Sequence, residues 1–360
     1  MAATFGNKIK VTLFGQSHAQ AIGAIVDGVP AGMFIDEEKL ARFMDRRRAK
    51  DELATKRHEA DRVVFKSGVV NGITCGAPIC LMIENADTRS ADYSNVSVVP
   101  RPNHSDFAAY IKYSGHNDIR GGGQFSGRLT AAMCAAGFIC LELLRAQGIS
   151  VVSHVSRIGS VTDEKLNPLM ADNELNLRLM ASSFPVISED AQERMRQEVI
   201  EKKQEGDSVG GEIECAVYGL PAGLGSDFFG GLEALIAQTV FAVPAVKGLE
   251  FGAGFEFAQM CGSVANDPFT LDENGKVVTA TNNCGGIIGG ISNSMPLMFT
   301  AAFKPTPSIA KPQMSVDLKE NTETELVIKG RHDPCIVPRA AAVIESAAAI
   351  ALVNADGFVV

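Results

Sequence analysis

Two long apolar stretches constrain the fold of this chain more than any other sequence feature. Residues 131–144 and 340–353 are almost entirely apolar, and each carries one glutamate, Glu142 in the first and Glu345 in the second. Neither approaches the roughly 20 uninterrupted apolar residues that a membrane span needs. We therefore predict that both stretches form helices packed in a protein core.

The length and composition are those of an ordinary globular protein. At roughly 150 residues per domain, 360 residues allow one large domain or two ordinary ones. No low-complexity linker marks a boundary, so we predict a single domain over residues 1–360. With 46% apolar and 21% charged residues, disordered, collagen-like and coiled-coil chains are excluded. The eight cysteines form no C-x-x-C pair, which predicts free thiols in a reducing cytoplasm.

The charge balance limits the partners of the chain. Lys and Arg number 33 and Asp and Glu number 42, which gives a net charge of −9. A negative surface repels nucleic acid and anionic membranes, so we predict neither as a partner. Any anionic ligand must be held by a local cluster of Arg and Lys. The N-terminus has only a short apolar run after its lysines, which is not typical of a signal peptide and favours a cytoplasmic protein.

Strand-like and helix-like segments alternate along the chain. Runs rich in Val and Ile, bounded by Gly, Asn or Asp, predict strands at 9–15, 21–29, 63–70, 79–85, 149–155, 212–220 and 325–330. Helix signals predict a helix capped by Asp36, a helix capped by Ser188, and three more at about 126–146, 231–241 and 338–354.

The strongest local motif is RGGGQFSGR at residues 120–128. Its three glycines leave the backbone free to adopt positive φ, a helix starts at about Ser126, and Arg120 and Arg128 bracket the turn. Amides at a helix N-terminus together with a guanidinium make a good site for phosphate or carboxylate. A tight turn whose glycines serve packing alone is the alternative. The motif matches neither a Walker A loop nor a dinucleotide fingerprint.

Two further basic segments are ambiguous by themselves. Residues 46–62 carry many arginines and lysines, which indicate either an anion site or a solvated face. The proline-stiffened segment 303–313 presents Thr306 and Ser308 to a ligand or is a rigid connector. His18, His104 and His332 lie in motif-like surroundings and could act as general acids, or could be structural. No histidines pair at the spacing of a zinc helix, so we predict no metal.

Taken together and in order, these segments resemble one known family. The motifs are GQSHA, IVDGVPAG, DRRR, SGVVNGITCGAPI, RPNHSD, RGGGQFSGRLTA, GDSVGG, VPAVKGLEFGAGF, CGGIIGGISNS, FKPTPSIAKPQ and GRHDPCIVPRA, and they cover most of the chain. The chain resembles the chorismate synthase family. The resemblance implies an α/β (α+β) fold, a β-α-β sandwich in which two antiparallel sheets enclose helices.

The resemblance also implies an activity. The family is a carbon-oxygen lyase that removes phosphate from 5-enolpyruvylshikimate-3-phosphate by 1,4-anti elimination to give chorismate, the last step of the shikimate pathway in aromatic amino acid biosynthesis. It requires reduced FMN (FMNH2), which an external flavin reductase or NADPH-dependent reduction supplies, and it assembles as a homotetramer. A non-catalytic homologue that binds flavin or anions remains the alternative.

Site residues follow from the same resemblance, position by position. His18 matches the residue that protonates the departing phosphate, His104 the residue that supports the protonation state of reduced flavin near N1, and Asp333 an acid that assists proton removal from the substrate ring. Substrate-binding positions match Ser17, Arg46, Arg47, Arg48, Arg57, Arg128 and Arg331. Flavin-binding positions match Gln124, Phe125, Ser126, Pro244, Ala245, Gly289, Lys304, Pro305, Thr306, Pro307, Ser308 and Arg331.

The chain departs from the family pattern in several places. The segment after Arg48 is one residue shorter and lacks an expected arginine. Six single positions also differ: Gln16 replaces Glu, Ala19 replaces Gly, Asn103 replaces Gly, Ser105 replaces Ala, Gly127 replaces Ala and Ser294 replaces Gly. His18, His104, Arg128, Arg331 and Asp333 are present, so we expect an active enzyme.

Overall fold

Strands between residues 4 and 84 form an antiparallel sheet. A computed structural model describes residues 3–48, 61–85, 98–328 and 333–360. The first sheet has the order β1-β2-β3-β7-β4, with strands β1 (Thr4–Phe5), β2 (Lys10–Gly15), β3 (Ala21–Asp27), β4 (Val64–Ser67) and β7 (Ile79–Glu84). Each neighbouring pair is antiparallel, with Val11 opposite Val26 and Val26 opposite Ile79. Strands β5 (Val69–Val70) and β6 (Ile73–Thr74) form a separate small hairpin.

A second antiparallel sheet is built from strands that lie between residues 150 and 303. Its order is β11-β16-β10-β8-β9, with strands β8 (Ser150–Ile158), β9 (Val161–Thr162), β10 (Gly211–Tyr218), β11 (Val246–Phe251) and β16 (Leu297–Phe303). Three hairpins lie outside the two sheets: β12 (Phe269–Leu271) with β13 (Val277–Thr279), β14 (Ile287–Ile288) with β15 (Ile291–Ser292), and β17 (Gln313–Asp317) with β18 (Thr322–Leu326).

Helices connect and separate the sheets. They are α1 (Glu37–Arg46), α2 (Asp106–Lys112), α3 (Thr130–Ala146), α4 (Asn173–Ala181), α5 (Glu189–Gln204), α6 (Leu232–Val240), α7 (Gly262–Ala265) and α8 (Val337–Leu352). Both predicted caps are confirmed, since the Asp36 side chain accepts from the backbone N–H of Lys39 and Ser188 Oγ accepts from that of Ala191. Each cap satisfies a backbone donor that the first helical turn leaves unpaired.

The two apolar helices form the middle layer of a sandwich. Helix α3 packs on β3 and β7 of the first sheet, α8 packs on β8 and β10 of the second, and the two helices pack against each other. They approach closely at Gly137, where a Cβ atom would lie 2.3 Å from the Cβ of Ser346. Phe138 and Ile344 are buried in this layer. The predicted β-α-β sandwich with two antiparallel sheets is therefore confirmed.

Most predicted elements match the structure, with local differences. The helix expected from about residue 126 begins as a 3-10 turn, Gly127–Leu129, and continues as α3. The strand expected at 325–330 ends at Leu326. The predicted strands do not include β16, although it is a central strand of the second sheet, because a run that is apolar at every position except Thr300 shows no alternation of apolar and polar residues.

The apolar helix that follows the glycines is buried in the core. Among the described residues, one helical segment, Gly127–Ala146, is long and apolar enough to cross a membrane, but most of it is buried inside the fold. One hydrophobic cluster joins side chains from both sheets and from the helices between them. The assignment of a single domain over residues 1–360 stays a prediction.

Candidate active site

Three consecutive glycines form the floor of the candidate site. Gly121, Gly122 and Gly123, which we call the glycine loop, have φ values of 58°, 84° and 54°, in the left-handed region that favours glycine. A Cβ atom at Gly121 would lie 2.3 Å from Cε1 of His18, and one at Gly122 would lie 3.3 Å from Nε2 of His104. Side chains are thus excluded from the loop, and both predicted catalytic histidines lie directly against its backbone.

Ser17 and His18 follow strand β2 after one intervening residue, Gln16, and both are buried. The backbone N–H of Ser17 donates to the carbonyl of Gly123 at 3.1 Å, which ties this segment to the glycine loop. Ser17 is fully buried, yet its Oγ has no hydrogen-bond partner within the described ranges. A buried hydroxyl without a partner is costly, so this atom is suited to a polar ligand group at the loop.

His104 lies in a turn, residues 101–105, that leads into helix α2. Its Nδ1 lies 2.6 Å from Oδ1 of Asp106. Arg101 donates to the same carboxylate from Nε at 2.7 Å and from Nη2 at 2.8 Å. Burial by itself raises the pKa of Asp106, but the hydrogen bonds from Arg101 and His104 outweigh it and lower that pKa far below its usual value. Asp106 is therefore an ionised carboxylate behind His104.

The predicted flavin-binding segment, residues 304–308, packs against the His104 turn, and we call it the proline loop. Nη1 of Arg101 donates to Oγ of Ser308 at 3.2 Å, and Nζ of Lys304 donates to the carbonyl of Asn103 at 2.9 Å. Burial, together with the positive charge of Lys247, lowers the pKa of Lys304. The proline loop thus brings a lysine and a hydroxyl beside the histidine turn.

The proline loop also contacts one predicted catalytic residue, Asp333, and one further predicted flavin position, Ala245. Thr306 Oγ1 donates to the carbonyl of Asp333 at 2.8 Å. The backbone N–H of Lys304 donates to the carbonyl of Ala245 at 2.9 Å, and Ala245 follows Pro244 with φ at 74°. A non-glycine residue in the left-handed region is held there by its surroundings. Three separate segments therefore contact this loop: the His104 turn, the segment of Ala245 and that of Asp333.

Arg47 and Arg128 share one buried carboxylate. Arg47 Nη1 donates to Oδ2 of Asp61 at 2.8 Å, and Arg128 Nη1 bonds Oδ1 of the same residue. All three side chains are at most 5% exposed. Burial lowers the pKa of Arg47 despite the attraction of Asp61. Asp61 holds the two guanidiniums together. Sequence reasoning offered Asp61 as a partner for the basic segment 46–62 but missed its link to Arg128, which lies 67 residues away in the chain.

The neighbouring arginines have different partners. Both terminal nitrogens of Arg46 donate to Glu345 in the helical core, at 2.6 and 2.8 Å. Arg48 Nη1 lies 2.5 Å from the carboxylate of Asp45. Both terminal nitrogens of Arg46 are thus occupied by Glu345, and these contacts do not support a role in substrate binding. That role stays a prediction.

Asp333 is linked to the segment of Arg47 through the side chain of Arg339. Arg339 Nη1 donates to Oδ2 of Asp333 at 2.8 Å, and its Nε donates to the backbone carbonyl of Arg47 at 3.2 Å. The predicted acid and the predicted substrate-binding segment are thus linked by one side chain. Arg57 and Arg331 lie outside the described residues.

The remaining predicted flavin positions lie in two places, residues 124–126 beside the glycine loop and Gly289 in a separate hairpin. Gln124 Nε2 donates to the hydroxyl of Tyr113 at 2.9 Å, and the ring of Phe125 lies against that of Tyr113. Ser126 Oγ accepts from the backbone N–H of Arg128 at 3.3 Å. Gly289 lies in the turn between β14 and β15, and this hairpin contacts residues 225–232. Its relation to the glycine loop stays a prediction.

The structure shows how four of the departures from the family pattern are accommodated. Asn103 and Ser294 replace glycines and have φ values of 58° and 71°, so both keep the left-handed backbone that glycine favours. Ser105, in place of alanine, brings its Oγ to 3.5 Å from Nδ1 of His104. A Cβ atom at Gly127 would meet no atom within 4 Å, so the glycine in place of alanine neither removes a contact nor avoids a clash.

No metal site accompanies this arrangement in the part of the chain that the structure describes. Within ranges 3–48, 61–85, 98–328 and 333–360, no group of three or more His, Cys, Asp and Glu side chains is arranged to hold a metal ion.

Fold and site together define a β-α-β sandwich protein in which histidines and arginines from distant segments gather around a glycine loop. The family model described as chorismate synthase matches residues 9–356. The chorismate synthases of Korarchaeum cryptofilum and Thermococcus gammatolerans are 44% and 45% identical to this chain, over 97% and 98% of it and 96% of each relative. A crystal structure of chorismate synthase aligns with a TM-score of 0.75 and 28% identity, over 97% of this chain and 92% of that one. The chain belongs to the chorismate synthase family.

Proposed function

We propose that this protein converts 5-enolpyruvylshikimate-3-phosphate to chorismate by 1,4-anti elimination of phosphate, and that it depends on reduced FMN. The observation that carries the proposal is the convergence of His18 and His104 on one glycine loop, where no side chain intervenes. Two histidines beside one loop can hold or give protons near neutral pH, as the departure of a phosphate group requires.

The charge arrangement supports an anionic substrate. The chain is acidic overall, yet Arg47, Arg128 and Arg339 lie together where Asp61 and Asp333 hold them in place. Guanidiniums fixed in advance bind phosphate and carboxylate with little loss of side-chain freedom. We assign Arg47 and Arg128 to the substrate anions, and His18 to protonation of the departing phosphate.

The same surroundings fit a flavin phosphate cofactor. Three features form a donor set that suits a phosphate-bearing ring: the Oγ of Ser17, which has no partner among the described residues, the side-chain-free glycine loop, and two cations, Lys304 of the proline loop and Arg101 of the neighbouring His104 turn. When bound, reduced FMN would supply an electron-rich ring that stabilises an electron-poor transition state. The proline loop and residues 124–126 would hold it, and His104 would hold a proton beside it.

Anaerobic turnover tests the proposal. The purified protein, mixed with FMN that dithionite has reduced, is expected to release inorganic phosphate from 5-enolpyruvylshikimate-3-phosphate and to form chorismate. Tight binding of flavin and substrate without chorismate would instead favour a non-catalytic binding homologue.

Assembly, reductant and location are part of the same proposal. We propose a homotetramer in the cytoplasm that receives reduced flavin from an external flavin reductase or by NADPH-dependent reduction. Phe228 and Phe229, which are 87% and 97% exposed at a turn before α6, support a surface that a second copy covers. Light scattering of the purified protein measures the assembly, and a monomer at micromolar concentration would contradict it.

A further inference from the structure

Behind His104 lies a buried ion pair between Asp106 and Arg101. Asp106 and Arg101 are 8% and 7% exposed. They are joined by three hydrogen bonds, two from the guanidinium and one from the backbone N–H of Arg101 to Oδ2 at 3.1 Å. A buried ion pair with this many fixed contacts cannot rotate freely, so its carboxylate has one orientation.

That orientation decides which ring nitrogen of His104 carries a proton. Nδ1 lies 2.6 Å from Oδ1 of Asp106, and an ionised carboxylate can only accept. Two lone pairs at this separation would repel, so Nδ1 must be protonated. Arg101 Nη2 also lies near Nδ1, at 3.2 Å, but a guanidinium can only donate, and the shorter contact with the carboxylate excludes Nδ1 as its acceptor.

With Nδ1 protonated, the chemistry of His104 is confined to Nε2. This is the ring atom nearest the glycine loop, 3.3 Å from where a Cβ of Gly122 would lie. In the neutral ring Nε2 is an acceptor, and in the imidazolium it is a donor, so one atom serves both directions of proton transfer. We propose that Asp106, held by Arg101, is a positioning residue that keeps the proton of His104 on Nδ1 and aims Nε2 at the glycine loop.

Arg101 extends this unit to the proline loop. Its Nη1 donates to Oγ of Ser308 at 3.2 Å, while its other nitrogens hold Asp106. Arg101 therefore connects the orientation of His104 to the position of the segment proposed to hold the cofactor. The positive charge of Arg101 also balances Asp106, so the carboxylate is tolerated in a buried place.

The first test needs no turnover. Histidine is labelled with 15N, and the imidazole signals of sedimented, ligand-free protein are recorded by solid-state NMR, with the His104→Ala variant assigning the resonance. We expect His104 to be protonated on Nδ1 in its neutral form. In Asp106→Asn an amide can donate to Nδ1, so we expect the proton to move to Nε2. A wild-type His104 with its proton on Nε2 would overturn the proposal.

The second test is kinetic and rests on the proposed function. Asp106→Asn is expected to lower kcat by about 10²-fold or more, with little change in the KM of the substrate. The control Asp190→Asn removes the same charge from an exposed ion pair with Arg194 on α5 and is expected to keep kcat. A kcat within about threefold of wild type for Asp106→Asn, with the protein folded, would refute the positioning role.

Thermal unfolding shows whether Asp106→Asn still folds. If it does not, a third variant tests the proposal. Arg101→Lys keeps a positive charge beside Asp106 but loses the two-pronged contact, and we expect about a tenfold loss in kcat and a mixture of the two neutral tautomers. Unchanged kcat and a single tautomer would contradict the role of Arg101. If the wild type forms no chorismate, the proposed function fails, and the NMR result still decides the orientation of His104.

Discussion

Arg46 and Glu345 form an ion pair with two hydrogen bonds, 2.6 and 2.8 Å long, inside the fold between helices α1 and α8. Ser153 of strand β8 also donates to Glu345, from its backbone N–H and its hydroxyl. Burial lowers the pKa of Arg46, but the pairing with Glu345 outweighs burial and raises it overall. The pair and its contacts therefore join α1, α8 and β8, three elements of the sandwich.

Removal of one partner should destabilise the protein strongly. In Glu345→Gln a buried Arg46 loses its counter-charge, and we expect the free energy of unfolding to fall by about 3–5 kcal/mol. Urea unfolding measures it. Glu38→Gln, which breaks an exposed pair with Arg42, is the control and should leave the unfolding curve almost unchanged. A loss below about 1 kcal/mol for Glu345→Gln would contradict this account.

His154 should make stability depend on pH in a defined direction. Its ring is fully buried between Asp163, at 3.1 Å, and Glu214, at 2.8 Å. Burial lowers the pKa of His154, but these two carboxylates outweigh it and raise that pKa in the folded state. A raised histidine pKa stabilises the fold fully below the unfolded value of about 6.5, and the stabilisation is lost as pH rises through the folded value.

The partner sets the lower limit of this pH window. Burial raises the pKa of Asp163, but hydrogen bonds from His154 and from backbone N–H groups lower it overall, so its contribution is lost only under acid conditions. The gap in free energy of unfolding between wild type and His154→Gln should therefore be larger at about pH 5.5 than at about pH 9. Urea unfolding at both values checks it. A gap that grows with pH would refute the assignment.

A methyl group on the glycine loop should impair turnover more than stability. In Gly122→Ala the new Cβ lies 3.3 Å from Nε2 of His104 at a φ of 84°, so the loop or the ring must shift. We expect turnover to fall by about tenfold or more. Gly148→Ala is the matched control, because its φ of 76° imposes similar strain while its Cβ meets no atom within 4 Å. Equal turnover in the two variants would remove the loop from the site.

Each histidine against the loop should contribute separately to catalysis. We expect His18→Ala and His104→Ala each to lower turnover by about 10²-fold or more, the usual contribution of a positioned acid or base. The exposed His116 provides the control variant, His116→Ala, which should keep the wild-type rate. Steady-state rates with reduced FMN measure all three. Near wild-type rates for either loop histidine would exclude it from proton transfer.

Local sequence signals predicted the parts of this structure that depend on near neighbours. Asp36 and Ser188 cap their helices because a cap depends on a backbone N–H three residues away. The glycines of the loop were recognised because positive φ is a property of single residues. The composition of the two apolar helices is likewise a local signal, because a helix that is apolar on all sides must be buried.

Contacts across long sequence separations could not be predicted in this way. Glu345 lies 299 residues from Arg46, and Asp61 lies 67 residues from Arg128, so no spacing rule links them. The resemblance placed Arg46 among the substrate ligands, whereas its contacts are with the core. Arg101 and Asp106, in contrast, flank His104 within five residues, and the run of Arg, His and Asp was a signal that sequence reasoning passed over.

The most direct measurement is anaerobic product formation from 5-enolpyruvylshikimate-3-phosphate by the purified protein, with phosphate, chorismate and the flavin absorbance followed together. The account predicts equal amounts of phosphate and chorismate with dithionite-reduced FMN, a flavin that is still reduced at the end, and no product with oxidised FMN. Phosphate release at the same rate with oxidised FMN, or phosphate without chorismate, would contradict it.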